Sequence, residues 1–198
     1  MNRRHDGVRD AWVPAVGAVD PWLDVETEGL LSGSKRRPAD LLTAAAPGGG
    51  LSALDFGVAS PHAVPTDRDC LEVMHERKCS NFTREELDEL EEQRIAVVPV
   101  VYSSYGRAHP AADDLLQFVS KAAATRHSLV SYKWILRRSR ARIGMAIWNG
   151  AAGCVAACRH TPPPAVDILE GGDLGGDWTA VAARNCGEMC GVVGQPAP

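Results

Sequence analysis

Hydrophobic and polar positions are patterned most clearly in the middle of the chain. From Arg36 the sequence reads RRPADLLTAAA, then PGGG, then LSALDFGVAS. These are two strand-like runs around a turn cluster, and they predict a hairpin with strands near 39–45 and 51–59. Leu54, Phe56 and Val58 fall on one side of the second strand, and Ala53, Asp55, Gly57 and Ala59 on the other. The first side reads as core. The second is an open carpet of small residues around a carboxylate, with room for a metal and a phosphate.

Helical spacing follows. Cys70 to Phe82 reads as a helix with Leu71, Met74 and Lys78 on related faces and Asp67 or Asp69 as N-cap. Thr83 with Glu86 three residues on gives a capping box for the next helix. Ile95–Tyr102 is a near-continuous apolar run, as in a strand buried on both faces, and Pro99 argues against a fully central place because it cannot donate to a ladder. Helices are expected over 110–124, with Leu115, Phe118, Val119 and Ala122 as the apolar stripe, and over 128–148, with Leu129, Leu136, Ile143 and Ile147 on one side.

The flanks are less regular. Residues 1–34, with Trp12, Pro14, Pro21 and Trp22 scattered through them, read as an irregular lead-in with at most one short helix. Residues 151–198 are rich in Gly and Pro and read as a disordered tail, which leaves one domain over 35–150.

Charge narrows the possibilities. The net charge of -4 excludes a uniformly cationic surface, so any nucleic-acid binding needs a local patch. One exists: Arg126, Lys133, Arg137, Arg138, Arg140 and Arg142 bring six cations and no acid to 17 residues of a predicted helix. A solvated helix face is the plain alternative. Tyr132 and Trp134 offer stacking surfaces or core. No 18-residue apolar run or leader-like h-region occurs, so the chain is expected to be intracellular, without membrane association. Six irregularly spaced cysteines suit reduced thiols better than a disulfide framework. Cys154, Cys158, Cys186 and Cys190, with His160, make a poor zinc pattern because structural sites use tighter pairs.

The hairpin carries the candidate chemistry. A turn centred on Gly48 and Gly49 sets residue 42 opposite 55 and residue 40 opposite 57. Asp40 and Asp55 then share a face as diagonal neighbours with Cβ atoms roughly 7 to 8 Å apart, within reach of one divalent ion. Phosphodiester hydrolysis needs such an ion and a nearby cation, which Lys78 can supply. Arg107, after the last strand, is a second candidate for a phosphate.

Arg37-Pro38-Ala39-Asp40, Leu54-Asp55-Phe56-Gly57-Val58 with Ser60-Pro61, Lys78 and Phe82, Pro99 to Tyr102, and Tyr105-Gly106-Arg107 follow in order. Over about residues 34–148 this series resembles the restriction-endonuclease-like domain downstream of reverse transcriptase in some non-LTR retrotransposons. The resemblance implies a PD-(D/E)xK fold, a mixed sheet flanked by helices, that nicks DNA with Mg²⁺ or Mn²⁺ in the nucleus. It assigns metal ligation to Asp40 and Asp55 and catalysis to these two with Lys78. It leaves Lys133, Arg137, Arg138, Arg140, Arg142 and Arg107 as DNA contacts. The chain departs from the pattern in having Pro-Ala-Asp for Pro-Asp, Gly57 at the usual lysine position and Phe82 where tyrosine is common. Three readings stay open: a nicking enzyme, a non-catalytic nucleic-acid-binding remnant, and a decayed retroelement reading frame without activity.

Overall fold

The computed structural model describes residues 3–32, 38–64 and 67–160. Arg37 and the chain after His160, with Cys186 and Cys190, lie outside them, as do the side chains of Cys154 and Cys158. The elements are α1 (Arg3–Gly17), β1 (Asp24–Val25), β2 (Leu41–Thr43), β3 (Leu51–Ala59), α2 (Cys70–Cys79), α3 (Arg84–Glu92), β4 (Ile95–Ser103), α4 (Pro110–Arg126) and α5 (Tyr132–His160). They form a mixed α/β unit. Its four-stranded sheet runs β1-β2-β3-β4, antiparallel across the first two pairs and parallel between β3 and β4.

Alternation along β3 decides which helix lies where. Leu54 and Phe56 are fully buried with Val8, Trp12 and Val16 of α1, Leu116 and Val119 of α4 and Ile143 and Ile147 of α5. The edge of Trp12 meets the Phe56 ring at a centroid distance of 5.7 Å. On the opposite face Ala53 packs with Leu90 of α3, and Ala59 with Cys70 and Leu71 of α2. The small-residue face of β3 is therefore covered by two helices and not open as its composition suggests. Small side chains there let α2 and α3 approach closely.

Three further expectations are corrected. The irregular lead-in is a 15-residue helix, despite Pro14 within it. Val8, Trp12, Ala15 and Val16 recur at i, i+4, i+7 and i+8 and are all buried, and this apolar stripe outweighs the cost of the proline. Phe118 is exposed, because α4 buries Ala112, Leu115, Leu116, Val119 and Ala123 instead. Leu129 lies before α5, in the exposed connection from α4, and is 98% exposed.

The hairpin forms with a different register. β2 pairs Leu41 with Leu54, Leu42 with Ala53 and Thr43 with Ser52. The turn is thus centred one residue earlier than expected, which shifts pairing by two residues. Asp20 is the physical reason that β2 stops at Thr43. Its carboxylate accepts from the Thr43 hydroxyl and the Ala44 amide, both at 2.7 Å, and the Thr43 hydroxyl in turn accepts from the Ala45 amide. Ala45 and Ala46 then leave the ladder for the core, and Gly48 and Gly49 take positive φ angles in the turn.

The two short helices start as their sequences predict: Asp69 caps α2 by accepting from the Leu71 amide, and Thr83 and Glu86 complete the capping box of α3. β4 is a terminal strand of the sheet, where Pro99 is tolerated, although Val100, Val101 and Tyr102 are buried. Among the described residues no helix is long and apolar enough to cross a membrane.

Candidate active site

β2 is short, and β3 runs on past it. Asp40 stands immediately before β2, and extending the observed register by one step sets it directly opposite Asp55. A two-residue shift preserves the side-chain face, so the two aspartates still share it. Beyond the ladder the Phe56 amide has no β2 carbonyl to meet. The Asp40 carboxylate takes that place, accepting from the Phe56 amide at 2.7 Å, while the Asp40 amide donates to the Leu54 carbonyl at 3.0 Å. The first acidic residue is thus locked to the strand that carries the second.

Helices from both layers close on this pair. From α1, His5 brings its Nε2 to 2.9 Å from Asp40 Oδ2. From α2, Lys78 Nζ donates to Asp55 Oδ1 at 2.5 Å. The lysine reaches this position because residue 57 has no side chain: a Cβ on Gly57 would lie 2.5 Å from Lys78 Cε. All four side chains are sunk but reachable, between 16% and 23% exposed.

Electrostatics separates the two carboxyls. Burial pushes Asp55 up, and its ion pair with Lys78 offsets only part of this. Burial also opposes ionisation of Asp40, but the His5 hydrogen bond and charge and the Phe56 amide outweigh it and hold Asp40 below the ordinary carboxylate range. The Asp40 hydrogen bond raises His5 against its own burial.

One ligand atom each from His5, Asp40 and Asp55 lies within 4.8 Å of the others. Cis ligands of an octahedral ion with bonds near 2.1 Å lie about 3.0 Å apart and trans ligands about 4.2 Å, so the three atoms would have to draw closer together to hold a divalent cation. The donor set, two carboxylates and an imidazole, suits such an ion. Asp40, Asp55 and Lys78 are therefore brought together as the sequence predicts. His5 is the residue that sequence reasoning misses, and its signal is the helical spacing of Val8, Trp12, Ala15 and Val16 just beyond it.

The predicted DNA contacts divide into two groups. Arg107 donates to Asp69 at 2.5 Å, at the end of α2 opposite to Lys78, roughly 13 Å away along the helix axis. Arg140 is tied to both oxygens of Asp113. Lys133, Arg137, Arg138 and Arg142 are exposed on α5 with no acidic partner among the described residues, and Arg138 lies over the Trp134 ring at 5.0 Å. Arg138 and Arg142 border a groove between α5 and α1, the helix that carries His5.

No protein-family model matches this chain, and neither a curated protein nor a solved structure is detectably similar to it.

Proposed function

We propose that the chain is a restriction-endonuclease-like module, akin to those of non-LTR retrotransposons, that nicks DNA with a divalent metal ion. The observation that carries this reading is the convergence of Asp40, Asp55 and Lys78 from a strand end, a strand and a helix onto one half-buried point. The element order adds support. A helix precedes three antiparallel strands, and two helices then lead to a fourth, parallel strand.

Asp40 and Asp55 would hold the ion, which when bound polarises a phosphoryl oxygen and acidifies a water. Lys78 keeps Asp55 paired and presents its remaining N–H donors to a phosphate. The Phe56 amide fixes Asp40, so the first carboxylate meets its ligand with little reorganisation. The exposed cations of α5 supply attraction for the DNA backbone. Four of them have no acidic partner among the described residues, which also favours a second reading, a module that binds nucleic acid without cutting it.

Nicking of supercoiled plasmid with Mg²⁺ or Mn²⁺ tests the proposal. Metal-dependent nicking lost in both Asp40→Ala and Asp55→Ala is expected. Salt-sensitive DNA binding without nicking would favour the second reading.

A further inference from the structure

We propose that His5 is a third ligand to the ion, oriented by Asp6, and that its nitrogen makes the site select a transition-metal dication such as Mn²⁺ over Mg²⁺. The inference rests on the metal-dependent reading above and goes further in naming the class of ion.

Both ring nitrogens of His5 face carboxylates. Nε2 lies 2.9 Å from Asp40 Oδ2, inside the cluster, and Nδ1 lies 3.3 Å from Asp6 Oδ1, outside it. Metal-ligating histidines are arranged in this way, with the distal N–H donated to a carboxylate that fixes the ring and the tautomer. An incoming cation would displace the Nε2 proton now shared with Asp40, and with Nδ1–H kept on Asp6 the freed Nε2 lone pair would join the Asp40 and Asp55 oxygens, all within 4.8 Å of one another. The ring stands on a firm base, since Val8 and Trp12, within two turns of it, are fully buried.

Donor type then sets the choice of ion. Mg²⁺ keeps to an oxygen shell, whereas an imidazole nitrogen adds affinity for first-row transition dications, least for Mn²⁺ and more for the later ones. A histidine that served only to hold Asp40 by a hydrogen bond would leave this preference unaffected.

The test measures Mn²⁺ binding to the full chain by electron paramagnetic resonance, Mg²⁺ binding by competition, and nitrogen coordination by electron spin-echo modulation. Wild type is expected to bind Mn²⁺ at least tenfold more tightly than Mg²⁺ and to show a ¹⁴N signal. His5→Asp should lose the signal and bring the two affinities within about threefold of each other, with Asp6→Asn weakening Mn²⁺ up to tenfold. His5→Asn, which adds no charge, controls for folding, checked by circular dichroism, and should also lose the signal. If Asp40→Ala abolishes Mn²⁺ binding while both His5 variants keep wild-type affinity and preference, the inference is overturned and the two-aspartate site stands. If wild type binds neither ion, the metal-dependent reading falls with it.

Discussion

Gly57 and Lys78 compete for one volume. The strand lacks a side chain at 57 and the helix supplies one at 78, so a substitution on the strand acts on the helix residue. Gly57→Ala would place a Cβ 2.5 Å from Lys78 Cε, at the far end of a flexible chain that can swing away. Its stability should change by less than about 1 kcal/mol, while nicking falls at least tenfold because the cation has moved; a urea melt beside the plasmid assay checks both. Lys78→Ala should cost more activity, roughly 100-fold, since a positioned charge is then lost outright.

Residue type and order made Asp40, Asp55 and Lys78 legible, because small neighbours around a carboxylate and a lysine on the next helix are local signals. His5 was not, since its part in the site depends on a long-range packing of α1. The exact register was also beyond the sequence, because it turns on Asp20 reaching Thr43 across 23 residues.

At the scale of elements, Asp20 and α1 hold the site in shape. Asp20 is 6% exposed and also accepts from the Trp22 amide at 2.9 Å. Burial disfavours its charge, but the Thr43 hydroxyl and the Ala44 and Trp22 amides outweigh that and hold its carboxyl below the ordinary range. A carboxyl depressed in the folded state contributes stability above its unfolded pKa of about 4, and that contribution fades as pH falls through the lower folded value. Asp20→Ala should therefore cost about 2 to 3 kcal/mol at pH 7 and less near pH 3, measured by urea unfolding at each pH. Equal losses at both would mean that the charge is not what matters.

Trp12→Ala tests α1 in the same way. Removing a fully buried indole should cost about 3 to 5 kcal/mol, whereas a loose lead-in would tolerate the change within about 0.5 kcal/mol. β2, β3, β4 and the later helices are readable because each carries an apolar run or a cap, whereas β1, two exposed residues in the supposed lead-in, carries neither. α1 carries its period as well, but Pro14 within it and a polar start obscure it.

The whole molecule combines a modest net negative charge with one basic helix. Binding of DNA should consequently be local and salt-dependent. Replacing Lys133, Arg137, Arg138 and Arg142 with alanine should lower the slope of log affinity against log salt by up to about 3 to 4, if each meets one phosphate. Arg107 and Arg140, already engaged by Asp69 and Asp113, should contribute less, so single alanines there change the slope by under about 1. Fluorescence anisotropy across a salt series separates the two groups.

Whether Asp40 and Asp55 form one metal-dependent centre with Lys78 is decided by plasmid nicking with the full chain in Mg²⁺ and Mn²⁺, beside Asp40→Ala and Asp55→Ala at matched folding. Relaxed circles should form only with the metal and vanish in both variants. Nicking that survives either substitution, or that never appears with either ion, would rule such a centre out.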